Sequence, residues 1–173
     1  MSLTFAQIET ANFGTISFMA GDEGLRGVAF TSLKQLKQTV HFPDEAPSLT
    51  GLQTLSTLMV AMNEYLDGIR RYFAVAIDWR VISGFQQQVL RQTAKIPYGQ
   101  VLTYAALAKK LDKPGAARAV GAALAKNPMP IVIPCHRVIG SDHALSGYLG
   151  GVDVKASLLT LEGFKIQKNK VVI

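Results

Sequence analysis

The sequence contains a single cysteine, Cys135, among 173 residues. Without a second thiol the chain cannot form an intrachain disulfide or a metal site built from several thiolates. One unpaired cysteine fits a reducing compartment, so we expect a cytoplasmic protein, or a nuclear one if the source is eukaryotic. The thiol is then either a buried, inert side chain or a nucleophile.

The chain also lacks the segments that direct a protein to or across a membrane. We find no signal-peptide pattern and no apolar run near the roughly 18 residues that a membrane-spanning helix needs. Internal repeats and a phosphate-binding glycine motif are missing too. Hydrophobic residues make up 49% and charged residues 17%. We therefore expect a soluble protein with a sizeable core and no membrane partner.

Acidic residues are scarce in the second half of the chain. Residues 1–80 hold six Lys/Arg and eight Asp/Glu, a net charge of −2, whereas residues 81–173 hold twelve and four, a net charge of +8. This asymmetry favours a polyanionic partner for the second half, with nucleic acid as the first candidate. The alternative is a solvated basic face.

The first half has the pattern of a small α+β domain. Residues 4–32 alternate apolar and polar positions between glycines, which predicts antiparallel strands. Residues 38–50 contain two prolines and predict a loop. Residues 51–72 carry apolar residues at helical spacing, and residues 73–79 return to strand character. We place the end of this domain near residue 80.

The second half is predicted to be mainly helical. A helix is expected over 83–93, a second over 104–111 behind the capping Thr103, and a third over 116–125 after the break at 112–115. A helix, a short turn containing glycine and another helix form the helix-turn-helix pattern, although an ordinary helical hairpin has the same signature.

Small residues dominate the second helix of this pattern. Ala116, Ala117 and Gly121 surround Arg118 and leave almost no polar side chains for base edges. Such a helix can approach a groove closely, which suits minor-groove or shape-based binding. Arg118 would reach into the groove or contact a phosphate, and the sequence does not separate these two roles.

The end of the chain predicts a loop, a helix and a tail. Residues 140–151 are rich in glycine and contain Tyr148. Asp153 has the character of an N-cap for a last helix that Gly163 terminates. Residues 165–173 are basic and predict a frayed tail.

The surroundings of Cys135 decide between its two roles. His136 and Arg137 follow it directly, and nearby positive charge lowers the pKa of a thiol. The preceding Ile131–Ile133 run favours the alternative, a small core side chain. Two polar neighbours argue against complete burial, because such groups are rarely buried without partners.

Taken together, these motifs resemble the O6-alkylguanine-DNA alkyltransferases, also called methylated-DNA–protein-cysteine methyltransferases. The resemblance extends from about residue 83 to 163 without gaps, whereas the first half is similar only in size and order of elements. The residues that carry it are Ile96-Pro97-Tyr98-Gly99, Tyr104, Ala116-Ala117-Arg118-Ala119-Val120-Gly121, Asn127-Pro128-Met129-Pro130, Pro134-Cys135-His136-Arg137-Val138, Tyr148, Gly150-Gly151, Leu158-Leu159 and Glu162-Gly163.

The resemblance implies a DNA-repair protein that flips an alkylated guanine out of the duplex and moves the alkyl group from O6 to its own cysteine. Cys135 would be the acceptor, used once. His136 would activate it through a water molecule, with Glu162 on the other imidazole nitrogen. Tyr104 would protonate the leaving base and contact DNA. Asn127 would order the turn around the cysteine.

The same resemblance assigns the base-binding residues. The carbonyls of Cys135 and Val138 would accept from the guanine amine, the Tyr148 ring would line the pocket, and backbone N–H groups near Tyr148 and Leu149 would face O6. Gly150 would belong to the same substrate-binding set. Arg118 would fill the space that the flipped base leaves. Ala116, Ala117 and Gly121 would form the DNA-binding face around it.

The implied fold is α+β, with a ribonuclease-H-like N-terminal domain over 1–80 and a winged-helix-like C-terminal domain over 81–173. Its partner would be double-stranded DNA carrying O6-alkylguanine, and O4-alkylthymine would be a second substrate. We expect a monomer without cofactor or metal, since the N-terminal half has no cysteine for the zinc that some members hold. The alternatives are a sensor that binds alkylated DNA without reaction and a cysteine hydrolase.

Overall fold

The computed structural model describes residues 2–39 and 46–172 of the chain. It is a mixed α+β structure with two compact units, Met1–Val81 and Ile82–Ile173. Residues 40–45 of the loop predicted over 38–50 lie outside the described residues. Among the described residues, no helix has both the length and the apolar character needed to cross a bilayer.

The first unit is a three-stranded antiparallel sheet covered by a helix. Strands β1 (Thr4–Thr10), β2 (Gly14–Gly21) and β3 (Gly24–Ala29) lie in sequence order. Helix α2 (Leu49–Leu66) packs across all three, and the Ser48 hydroxyl caps it by accepting from the Gly51 N–H at 2.9 Å. The core of this unit includes Ile16, Phe18, Leu25, Leu58, Met62 and Tyr65.

Three predictions for this unit are corrected. The loop predicted over 38–50 is shorter at both ends, because helix α1 (Leu33–Thr39) extends to Thr39 and α2 already begins at Leu49. Helix α2 ends at Leu66 instead of near residue 72, because Gly68 takes a left-handed φ of 74° that stops the helix. Residues 73–79 do not form a strand of their own; Ile77 makes one isolated bridge to Leu25.

The second unit is a group of helices with short strands between them. Helices α3 (Gly84–Thr93), α4 (Tyr104–Lys110) and α5 (Ala117–Ala125) contact one another, and α4 and α5 flank the predicted turn. Strand β4 (Leu102–Thr103) pairs in parallel with β5 (Val138–Ile139). This pairing brings the start of α4 next to the segment that follows Cys135.

Two predictions for the end of the chain are wrong. Helix α6 (Val152–Leu161) begins after Gly151, whose φ of 91° lets the chain turn into the helix, so Asp153 lies in its first turn and is not the cap. Residues predicted as a frayed tail form an antiparallel hairpin of β6 (Lys165–Gln167) and β7 (Lys170–Val172). The hairpin is ordered because Val171 is buried in a cluster with Ile139, Leu145 and Leu159.

Candidate active site and DNA-binding surface

Cys135 is the first residue of a 3₁₀ turn, Cys135–Arg137, that leads into β5. The chain reaches it through Ile131, which has a φ of 72° that a β-branched residue rarely adopts. The hydrogen bond from the Ile133 N–H to the Met129 carbonyl, at 2.9 Å, closes the loop around this residue. Cys135 is only 6% exposed. The thiol is therefore held at a fixed position with little access to solvent.

Asn127 ties this loop to the thiol. Its Nδ2 lies 3.1 Å from Cys135 Sγ and donates to the Ile133 carbonyl at 2.9 Å. Its Oδ1 accepts from the Met129 N–H at 3.0 Å. Asn127 is buried, so the side-chain amide both orders the loop and gives the sulfur a hydrogen-bond donor.

Glu162 and His136 form a buried pair behind the thiol-bearing turn. Glu162 Oε1 lies 2.8 Å from His136 Nε2, and both side chains are fully buried. Arg137 contacts the same carboxylate through Nε and NH2, and its NH1 donates to the Ile96 carbonyl. The Gly99 N–H completes the set by donating to Oε2 at 3.1 Å. Four donors thus converge on one carboxylate at the end of α6.

Burial and hydrogen bonds shift the pKa values of this cluster in different directions. Burial raises the pKa of Glu162, but hydrogen bonds from His136 and Arg137 outweigh it and bring that pKa to about 2. Burial lowers the pKa of His136, and its contact with Glu162 opposes the shift. Burial also raises the pKa of Cys135, against the donor of Asn127 and the charge of Lys155. The resting site therefore holds an anionic carboxylate, a neutral imidazole and a protonated thiol.

Lys155 is a site residue that the sequence reasoning missed. It is fully buried, and Nζ donates to the carbonyls of Val138 at 2.7 Å and Ser146 at 3.0 Å. Burial lowers its pKa to about 8, while the neighbouring Cys135 raises it. The spacing in the sequence could have indicated that Lys155 is buried, because it precedes Leu158 and Leu159 by three and four residues and so shares the buried face of α6 with them.

An open cavity of about 440 Å³ lies between α4, α5 and the loop after β5. Tyr104 stands on one wall, and its hydroxyl is 3.5 Å from the Ser146 carbonyl on the opposite wall. Burial raises the pKa of Tyr104, so the phenol stays protonated at neutral pH. The cavity is lined by Tyr104, Ala105, Ala117, Arg118, Gly121, Ala125, Gly140, Ser141, Ser146 and Gly147.

None of the four residues predicted to bind the base is among the residues that line this cavity, although Tyr148 directly follows Gly147 of its wall. Val138 is buried, and its carbonyl accepts from Lys155. The Tyr148 ring stands edge-on to the His136 ring, with centroids 6.4 Å apart and an interplanar angle of 89°. Leu149 is 58% exposed, and Gly150 follows it as the chain turns towards α6.

The predicted DNA-binding residues share the start of α5. Ala116 is the N-cap, Ala117 is the first helical residue, and Arg118 extends from the exposed surface. A Cβ added to Gly121 would contact the Tyr104 ring at 3.7 Å, so the absence of a side chain keeps helix and ring close. Ala117, Arg118 and Gly121 all line the cavity.

Among the described residues, no group of three or more His, Cys, Asp or Glu side chains is arranged to hold a metal ion. Arg137 contacts Glu162 and Ile96 within the second unit.

The chain is similar in sequence to proteins of a known family. A family model described as 6-O-methylguanine DNA methyltransferase, DNA binding domain, matches residues 84–164. An inducible methylated-DNA–protein-cysteine methyltransferase of Bacillus subtilis is 44% identical over 108 residues, which are 62% of this chain and 60% of that protein. The methylated-DNA–protein-cysteine methyltransferase of Mycobacterium bovis is 40% identical over 136 residues, covering 79% and 81% of the two chains.

Solved structures agree with the sequence relatives. The O6-methylguanine methyltransferase of Mycobacterium tuberculosis has a TM-score of 0.75 at 33% identity, with 92% of both chains covered. The same relative in complex with DNA gives a TM-score of 0.75 at 31% identity, again over 92% of both chains. These similarities extend across both units, and they confirm the resemblance inferred from the motifs. The chain belongs to the methylated-DNA–protein-cysteine methyltransferase family.

Proposed function

We propose that Cys135 accepts the alkyl group from O6-alkylguanine in DNA, once and irreversibly, after the damaged base has been flipped out of the duplex. The protein is a DNA-repair methyltransferase that transfers the group to a cysteine. The observation that carries the assignment to Cys135 is its place in the buried cluster of Asn127, His136 and Glu162, together with its electrostatic interaction with Tyr104, which lines the open cavity.

The reaction is a displacement at the carbon bound to O6. The thiol proton passes through a water molecule to Nδ1 of His136, which is neutral because burial lowers its pKa. The thiolate of Cys135 then attacks, a sulfur–carbon bond forms, and the carbon–oxygen bond breaks. Its electron pair goes to the guanine, which takes a proton from Tyr104. The proton held by His136 restores the phenol, so the thiol proton ends on the repaired base.

The charges around the sulfur support this sequence. Burial alone opposes ionisation of Cys135, whereas the amide of Asn127 and the charge of Lys155 favour it. A thiolate formed beside these groups is stabilised without being solvated, which keeps it nucleophilic. Ionisation therefore depends on these two groups, because the exclusion of water by itself raises the thiol pKa.

The base would be recognised mainly through the backbone. The Val138 carbonyl has a second lone pair beyond the one that Lys155 occupies, and it accepts from the exocyclic amine of guanine. N–H groups near Tyr148 and Leu149 would face O6, and the ring of Tyr148 would line the pocket. O4-alkylthymine would be a second substrate because it also carries its alkylated oxygen next to a ring nitrogen, although it lacks the exocyclic amine that would donate to Val138.

The second unit would hold DNA through the start of α5. Ala116, Ala117 and Gly121 let the helix approach the minor groove, and Arg118 occupies the space of the flipped base. The net charge of +8 over residues 81–173 supports this placement. We propose that the protein acts on duplex DNA as a monomer in the cytoplasm, without cofactor or metal.

The sheet and helix of residues 1–80 would be ribonuclease-H-like, supported by the antiparallel order β1-β2-β3 under α2. Residues 81–173 would be winged-helix-like, supported by the contacts among α3, α4 and α5.

Mass spectrometry of the intact protein and its peptides tests the proposal. After incubation with duplex DNA containing O6-methylguanine, one methyl group is expected on the peptide that contains Cys135, and further substrate should add none. The matched variant Cys135→Ala should bind this DNA and gain no methyl group. Methylation at another residue, or many turnovers per protein molecule, would contradict the assignment. Unreacted wild-type protein that still binds alkylated DNA would indicate a sensor.

A further inference from the structure

The C-terminal hairpin, made of β6 and β7, is bonded to the loop that forms one wall of the cavity. We call residues 140–150 the base loop. The Leu145 N–H donates to the Asn169 carbonyl at 2.8 Å, and the Val171 N–H donates to the His143 carbonyl at 3.0 Å. These two bonds join the base loop to the hairpin turn and to β7 in the manner of an added strand.

Side-chain packing strengthens the same connection. Leu145 of the base loop and Val171 of the hairpin are buried together with Ile139 and Leu159. The two hydrogen bonds therefore lie next to apolar contacts and are shielded from competing water. An ion pair between Lys170 and Asp142 at 2.9 Å adds little, because both side chains are at least half exposed.

Leu145, through which the hairpin holds the base loop, directly precedes in sequence a residue that lines the cavity. Leu145 is followed by Ser146, whose carbonyl accepts from Lys155 and lies 3.5 Å from the Tyr104 hydroxyl across the opening. Gly140, Ser141, Ser146 and Gly147 form the wall that faces α4 and α5. A shift of Leu145 would move this wall relative to Tyr104 and change the width of the cavity.

We propose that the flipped base enters through this cavity, and that the C-terminal hairpin sets the width of the cavity and thereby limits the size of the alkyl group that the protein accepts. This inference rests on the proposed function of the site. The hairpin acts only through the base loop, since among the described residues those that line the cavity lie between 104 and 147. Its residues are positioning residues, and loosening it should relax size selectivity more than it slows methyl transfer.

The hairpin turn offers a matched pair of variants. Lys168 and Asn169 have φ values of 49° and 57°, the left-handed region in which a β-branched residue is strained and glycine is not. Asn169→Val should loosen the turn, whereas Asn169→Gly keeps it and retains the backbone carbonyl that Leu145 uses. Asn169 is exposed, so neither change alters the core.

Strand β7 offers a second pair. Val171→Ala removes two methyl groups from the cluster that holds the base loop. Val172→Ala makes the same change one residue later, where the side chain is 45% exposed. The second pair keeps the test decisive if Asn169→Val does not fold.

The readout is the ratio of two single-turnover rate constants, one for duplex DNA with O6-butylguanine and one for the same duplex with O6-methylguanine. The intrinsic difference between butyl and methyl transfer is the same for every variant, so only the pocket changes the ratio. Asn169→Val and Val171→Ala should raise the ratio by about fivefold. Asn169→Gly and Val172→Ala should leave it within about twofold of wild type.

Hydrogen exchange at the Leu145 amide reports whether the attachment has loosened. Faster exchange in Asn169→Val or Val171→Ala with an unchanged ratio, or an equal fall of both rate constants, would overturn the proposal and leave the hairpin a stabilising element. A wild-type protein that methylates no cysteine would instead refute the proposed function, and the two failures are distinct.

Discussion

Glu162 Oε1 and His136 Nε2 are 2.8 Å apart, and neither side chain is exposed to solvent. The carboxylate, with a pKa of about 2, is anionic at neutral pH, and an anionic carboxylate only accepts hydrogen bonds. The proton of the neutral imidazole is therefore held on Nε2, which leaves the lone pair of Nδ1 to accept a proton. Glu162 therefore fixes His136 in the tautomer whose Nδ1 can act as a base.

Glu162→Gln should slow alkyl transfer about a hundredfold while DNA affinity stays unchanged, because a neutral amide no longer fixes the imidazole in one tautomer. Single-turnover rates and equilibrium binding to the same duplex separate the two effects. Asp153→Asn, an exposed acid in the first turn of α6, is the matched control and should react like wild type. An equal loss of binding and rate would mean that Glu162 serves only the fold.

The same carboxylate predicts how stability depends on pH. Its pKa falls from 4.5 to about 2 on folding, so it stabilises the protein above pH 4.5, and this contribution is lost as the pH falls towards 2. The loss amounts to about 3 kcal/mol for a shift of this size. Urea unfolding between pH 7 and pH 3 should show a steeper decline for wild type than for Glu162→Gln. Parallel curves would contradict the low pKa.

Lys155 should control the ionisation of Cys135. Its positive charge lowers the thiol pKa against the effect of burial, so Lys155→Met should move the pH midpoint of thiol alkylation by iodoacetamide to a higher pH. Lys155→Arg keeps the charge and should shift the midpoint less. Lys168→Met removes an exposed lysine and is the control. An unshifted midpoint in Lys155→Met would limit Lys155 to its two carbonyl contacts.

The site residues that lie close together in the sequence could be predicted from it, but a site residue that only the fold brings close to Cys135 could not. Cys135, His136 and Asn127 lie within nine residues, and Glu162 was found through the family resemblance. Lys155 carries a charge on a helix face that otherwise predicts core, and only the structure shows that two backbone carbonyls compensate its burial.

The predictions of helix ends and of the C-terminal tail were wrong for two physical reasons, the conformational freedom of glycine and pairing between residues far apart in sequence. Gly68 and Gly151 end or begin helices through left-handed backbone, which the apolar periodicity of the sequence does not reveal. Residues 165–172 have the composition of a solvated tail. They become a hairpin because Val171 is buried against Ile139 and Leu159.

Asn127→Ala should weaken both the fold and the reaction. It leaves the Ile133 carbonyl and the Met129 N–H without the partner they have now, at a cost of about 1–3 kcal/mol for each buried group. It also removes a donor to the sulfur, so the thiol pKa should rise. Chemical denaturation and thiol alkylation measure the two effects. A full loss of transfer without a change in thiol pKa would assign Asn127 to loop order alone.

Arg118→Ala should separate base flipping from chemistry. If Arg118 fills the space of the flipped base, the variant should repair O6-methylguanine more slowly in duplex DNA than wild type but at a similar rate in a single strand, where no stack has to be broken. If Arg118 only contacts a phosphate, binding weakens for every sequence and the salt slope of log affinity falls by about one. Lys126→Ala, another exposed cation of this unit, controls for charge alone. Equal slowing on duplex and single strand would therefore remove Arg118 from base flipping and leave its charge as its contribution.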